Sequence, residues 1–180
     1  MLRGGRSRLA ISGLLALLIL LSGFLLPEDL RIPVEGATPA DWNHATFWYA
    51  PWGRSGVHKG IDIFADAGRA VRAATGGIVL YRGTLGMGGR VVIVLGPKWR
   101  LHYYAHLGDF DAAAGRFVSR GTVLGTVGTS GNAAGKAPHL HYAILSLVPH
   151  PWRWDGAPQG WKKIFYLDPS RRLLEAGAAS

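Results

Sequence analysis

VHKGIDIFA at residues 57–65 and PHLHYAILS at residues 138–146 decide how this chain folds. Both are short, punctuated by glycine or proline, and rich in Val, Ile, Leu, Phe or Tyr, a strand texture rather than a helical one. Four runs between them share it: AVRAATGGIVLYRG (70–83), GRVVIVLG (89–96), RLHYYAHLG (100–108) and GTVLGTVG (121–128). The intervals are too short for crossover helices, so neighbouring strands are predicted to pair antiparallel. The expected fold is mainly β, an antiparallel sandwich or partly open barrel. Twenty-six glycines and ten prolines among 180 residues agree with frequent turns. Beyond Ser146 the sequence predicts a strand from Lys163 to Leu167, then a short helix capped by Asp168 with Pro169 in its first turn.

On a pleated strand, residues two apart face the same way. His58, Gly60 and Asp62 then share a face, Gly60 leaving space between the two polar side chains, and His139 and His141 share another. His106, in YYAHL, adds an imidazole. The chain contains no cysteine, which excludes disulfides, thiolate metal sites and thiol nucleophiles. Any metal must be held by His, Asp or Glu. A hydrolytic zinc site takes three such ligands and leaves its fourth position to water. Five candidate groups leave two imidazoles over for proton transfer or for stabilising oxyanion charge. Spacing alone does not divide the roles. His102, four residues before His106, is expected either to line the same cleft or to stand at an exposed edge. His44 and His150 are expected in exposed loops, and Tyr103 and Tyr104 as packing residues.

HKGID (58–62), YAHL (104–107) and PHLH (138–141), in that order, resemble the motifs of the lysostaphin-type (LytM-like) zinc metallopeptidases that cut peptidoglycan peptides. GRAVRAATGGIV (68–79), VSRGTVLGTVGTSGN (118–132) and YLDPS (166–170) extend the likeness over about Val57 to Leu174. The resemblance implies one zinc ion held by His58, Asp62 and His141, with His106 and His139 as catalytic histidines in a groove over an antiparallel sheet. It implies a zinc metalloendopeptidase acting on stem peptides or cross-links. Ala137, preceded by Lys136, departs from the glycine usual before PHLH, and Leu95-Gly96-Pro97 stands where the family often has a His-Gly turn. LytM-like domains that have lost metal-site residues bind peptidoglycan or activate other hydrolases. All five positions are intact here, which argues against that alternative.

Leu9 to Leu26 carries no charge, follows Arg3, Arg6 and Arg8, and ends at Pro27. As a helix it would span about 27 Å, close to a hydrocarbon core. The arginines should remain in the cytoplasm. The expectation is a single-pass anchor in the bacterial cytoplasmic membrane with the domain outside the cytoplasm, or a secreted domain if the segment is a cleaved signal. Those three arginines belong to a net charge of +9, so the remainder carries a scattered +6 with no long basic run. Nucleic acid is therefore not an expected partner, whereas an anionic cell wall is. The expected organisation is an anchor at 1–27, a lead-in at 28–56, a LytM-like domain at 57–176 and a tail at 177–180.

Overall fold

The structure, a computed structural model, describes residues 3–111 and 115–178, without the side chains of residues 3–10 and 16. Among the described residues nine strands join one sheet. They are β1 (Ile61–Phe64), β2 (Ala70–Arg72), β3 (Gly77–Thr84), β4 (Arg90–Gly96), β5 (Arg100–Phe110), β6 (Phe117–Val118), β7 (Val123–Val127), β8 (His139–Ser146) and β9 (Tyr166–Leu167). The order is β1-β8-β5-β4-β3-β6, with β9 on β8 and β2 joined through β7 to β5. All pairings are antiparallel, as the short connections require.

The long strand β5 is the hub. Its first part pairs with β4 and β8, and its far end takes β7 through Leu107↔Val127 and Phe110↔Gly125. The β2–β7 ribbon packs Val71, Leu124 and Val127 into one core with Val92, Val94, Tyr104, Leu140, Tyr142 and Ile144. Tyr104 spans the two layers, its hydroxyl oxygen accepting the Ala74 N–H at 2.8 Å. The expected sandwich layers are thus branches of one hydrogen-bonded sheet. In β8, Leu140, Tyr142 and Ile144 are fully buried. Each such side chain contributes about 1.5–3 kcal/mol, so a one-residue slip is strongly disfavoured and the two histidines are fixed on the opposite face.

The lead-in 28–56 belongs to the same core, into which it places Leu30, Val34 and Trp42. Val34 bridges to Val71, and the Trp42 indole N–H donates to Ser170 Oγ at 2.9 Å. The predicted strand at Lys163–Leu167 is shorter than expected: Gly160–Ile164 forms a 3-10 turn before β9. Only Ile144 and Leu145 pair with β9, and the Ile164 carbonyl instead accepts the His150 N–H at 2.7 Å. Asp168 caps α2 (Pro169–Gly177), its Oδ1 accepting the Ser170 N–H at 2.9 Å and the Arg171 N–H at 3.4 Å.

The N-terminal stretch is helix α1 (Arg3–Leu25). Among the described residues no helix is long and apolar enough to cross a membrane. The span expected at Leu9 to Leu26 rests partly on side chains outside the description, as do its flanking arginines. The helix end meets the β4–β5 turn, where the Trp99 indole N–H donates to the Leu20 carbonyl at 2.8 Å and Lys98 Nζ to that of Phe24 at 3.2 Å.

Candidate metal centre and active-site cleft

A cleft of about 780 Å³ lies on the face of β1, β8 and β5 opposite the core. Alternation along β8 delivers His139 and His141 to it, and β1 delivers Asp62. His58 precedes β1 rather than lying within it. Its place is set by the lead-in, since its carbonyl accepts the Trp48 N–H at 2.7 Å and its N–H donates to Tyr49 at 3.0 Å. His106 arrives by a break in β5. Its φ is 64°, a left-handed value costly for a residue with a Cβ, and the β4–β5 register shifts between Arg90 and Val92. Regular alternation would send His106 to the core with His102 and Tyr104, but the bulge turns it into the cleft beside Tyr103 and Ala105.

Neither expectation for His102 holds: regular alternation puts it on the core face, away from the cleft, and β5 is flanked by β4 and β8, so it stands at no edge. That residue is fully buried beneath the sheet, its Nδ1 2.8 Å from the Tyr142 hydroxyl and its Nε2 3.6 Å from Glu28 Oε1. His44 is exposed, with Nδ1 2.8 Å from Ser170 Oγ, and His150 is half-buried, with Nε2 3.2 Å from Ser146 Oγ.

His58, Asp62 and His141 are close enough together to hold a metal ion. His58 Nε2 is 3.1 Å from His141 Nδ1 and 3.1 Å from Asp62 Oδ1, while His141 Nδ1 is 2.8 Å from the same oxygen. Ligands at about 2.0–2.1 Å around a tetrahedral zinc lie about 3.3 Å apart, so the triangle fits with small adjustments. His58 Nδ1 lies 3.1 Å from the Thr46 carbonyl, which can only accept, so the ring proton sits there and Nε2 presents a lone pair. One proton at most is then shared among three mutually facing acceptor atoms in neutral rings. A cation satisfies all three. Burial pushes Asp62 upward, but hydrogen bonds with His141 and His58 hold its carboxyl well below the usual range. Burial keeps His141 low despite the Asp62 charge.

His106 and His139 flank this triangle, their ring centroids 5.1 Å apart. His106 Nδ1 is 2.9 Å from the Ser130 carbonyl and His139 Nδ1 2.7 Å from that of Ala137. Each Nδ1 therefore donates, leaving each Nε2 available. His139 Nε2 is 4.0 Å from Asp62 Oδ2. Burial first, then the neighbouring His141, lowers His106 to about 4, so its ring is neutral near pH 7.

Residues 56–150 match the profile of peptidase family M23. The chain belongs to that family. It is 33% identical over 138 residues to the L-Ala--D-Glu endopeptidase of Bacillus subtilis, covering 70% of this chain and 42% of the relative. It is 32% identical over 121 residues to the glycyl-glycine endopeptidase ALE-1 of Staphylococcus capitis, covering 59% and 33% respectively. This M23 peptidase thus spans less than half the length of either relative. Its fold matches the catalytic domain of lysostaphin from Staphylococcus simulans with a TM-score of 0.54 at 24% identity, covering 69% of this chain and 86% of that one.

Four of the five motif residues of this M23 peptidase, Asp62, His106, His139 and His141, line one cleft, and His58 is buried behind them against Asp62 and His141. Trp52, Lys59, Tyr103 and Tyr166 also line the cleft, without having been singled out for the site from sequence. Trp52 lies in loop text at no recognisable spacing, and Tyr166 reaches the cleft only because β9 pairs beside β8.

Proposed function

We propose that this M23 peptidase is a zinc-dependent metalloendopeptidase that hydrolyses peptide bonds in peptidoglycan stem peptides or cross-links. The observation that carries this reading is the convergence of His58, Asp62 and His141 with two carbonyl-pinned imidazoles at one cleft. The names of the endopeptidase relatives support the substrate class. His58 Nε2, Asp62 Oδ1 and His141 Nδ1 would hold the ion. Zinc bound there would polarise the scissile carbonyl and make water a competent nucleophile near neutral pH. His106, neutral near pH 7, accepts the proton of the attacking water through Nε2. The proton that His106 takes from the water is passed on to the leaving amine, and His139, whose Nδ1 proton is engaged by Ala137, donates from Nε2 to the developing oxyanion when its ring has taken a second proton from solvent.

Helix α1 is proposed to anchor the chain in the bacterial cytoplasmic membrane, with the cleft outside the cytoplasm. Ile11, Leu14, Leu18, Ile19 and Leu21 are exposed along it, which supports that reading. The activity is tested by measuring zinc in the purified chain and incubating it with peptidoglycan, with released fragments read by mass spectrometry. New amino termini in the peptide portion are expected. Stoichiometric zinc with no peptide bond cut in any peptidoglycan type would refute the enzymatic reading, and fractionation to the soluble phase would refute the anchor.

A further inference from the structure

The endopeptidase relatives are named for bonds of opposite electrostatic character: L-Ala--D-Glu, beside a carboxylate, and glycyl-glycine, which is neutral. The cleft wall bears on that difference. Arg54, Lys59 and Lys136 line it, and among the described residues lining it Asp62 is the sole carboxylate, already engaged with His58 and His141. A metal bound at that triangle would add positive charge.

The cations stand at both ends of the cleft. The β1–β8 register pairs Ile61 with Tyr142 and Phe64 with His139. Arg54 and Lys59 come from the loop entering β1, beside the Ile61 end, and Lys136 from the loop entering β8, beside the Phe64 end. Among the described residues neither the Arg54 guanidinium nor the Lys136 ammonium has an ion-pair or hydrogen-bond partner, and both side chains are exposed. Lys59 Nζ donates to the Ser55 carbonyl at 3.1 Å and, more weakly, to that of Val57 at 3.4 Å, which directs a cation along the cleft wall without neutralising it. Several basic side chains elsewhere are neutralised by carboxylates, among them Arg72 by Glu35, Arg120 by Asp29 and Lys163 by Asp155.

We propose that Arg54, Lys59 and Lys136 select peptides with free carboxylates flanking the scissile bond, so that this M23 peptidase acts on acidic stem peptides and discriminates against glycine bridges. The proposal rests on the endopeptidase reading above and names the substrate class of the same cleft. Paired charges in a cleft steer encounter and fix register as much as they add affinity.

The test uses the full chain in detergent, loaded with zinc, and one stem peptide in two forms: D-Glu with its α-carboxylate free, and the same peptide with that carboxylate amidated. Cleavage is followed by mass spectrometry and binding by calorimetry. The free acid is expected to be cut with a kcat/KM about three- to tenfold higher, mainly through KM, and to bind tighter by a similar factor, the size of one or two partly exposed ion pairs. Raising salt should shrink the ratio. In the double variant Arg54→Gln/Lys136→Gln the ratio should approach one, with zinc content unchanged. Equal handling of the two peptides, faster cleavage of pentaglycine, or equally good competition by glycerol 3-phosphate would overturn the proposal. If neither peptide nor pentaglycine is cut but the acid form still binds tighter, the endopeptidase reading fails and carboxylate selection stands.

Discussion

The indole of Trp52 lies flat on the imidazole of His58, with ring centroids 4.1 Å apart and planes 19° from parallel. With the Thr46 carbonyl fixing one ring nitrogen, the stack removes the remaining rotational freedom of His58 and shields it from water. Replacing Trp52 by Ala should weaken zinc binding about tenfold while the chain stays folded, and Phe should restore most of it. Competition against a chelator measures this. Unchanged affinity in the Ala variant would show that the stack contributes packing alone.

Gly60 stands where a side chain cannot. A Cβ there would lie 2.5 Å from the Tyr142 carbonyl oxygen and 2.9 Å from His141 Nε2. Gly60→Ala should push His141 off the triangle and cost about tenfold or more in zinc affinity, alongside about 1–3 kcal/mol of stability from overpacking. Zinc content and a denaturation curve report the two effects separately.

The two histidine groups should separate under mutation. His106→Ala and His139→Ala should keep zinc and lose about 10²–10⁴ in kcat, the usual worth of positioned proton transfer. His58→Ala, Asp62→Asn and His141→Ala should lose the metal itself. Treating the parent with a strong chelator should abolish activity, and added zinc should restore it. If His106→Ala lost the metal, the division of roles would be wrong.

Stability should fall on acidification. Glu28 is buried with His102, Arg100 and Arg172 around it, its Oε2 accepting from both guanidinium groups. Burial pushes the Glu28 carboxyl upward, but His102 and then the two arginines overcome it, so its folded pKa lies below the ordinary value. Burial likewise lowers His102, outweighing the pull of Glu28. Both groups therefore bind fewer protons folded than unfolded, and the stability they supply is lost as pH drops, first below about 6.5 for His102 and then below about 4.3 for Glu28. Urea denaturation followed by tryptophan fluorescence should give a lower midpoint at pH 5 than at pH 8; a flat profile would contradict the argument. Glu28→Gln should cost about 3 kcal/mol at pH 8, because it leaves two guanidinium groups without their counter-ion.

The strands and three of the five motif positions, Asp62, His139 and His141, were legible because they follow simple periodicity, whereas His58 precedes β1 and is placed by the lead-in. Leu140, Tyr142 and Ile144 mark one face of β8, and His139 and His141 must take the other. The phase of β5 was not legible. His102 and His106 are four apart, which reads as one face, yet a single residue at φ 64° puts them on opposite sides of the sheet. A bulge leaves no mark in an apolar–polar pattern. Trp52 was equally hidden, since its stack with His58 depends on a loop path that sequence spacing does not encode. The cations at the cleft ends were visible as residues but not as a set, because it is the antiparallel pairing of β1 with β8 that sets their entry loops, about eighty residues apart in sequence, at the two ends of one cleft.

Glu28 is locked to β5 and α2 only three residues beyond the last residue of α1. The two residues between can reach about 10 Å at full extension, so the connection has almost no slack. With α1 moored in a bilayer as proposed, the cleft works at a fixed altitude and bearing. Reach, in addition to charge, then decides which bonds are cut: strands of wall within a domain's height of the membrane are accessible, and those farther out are not.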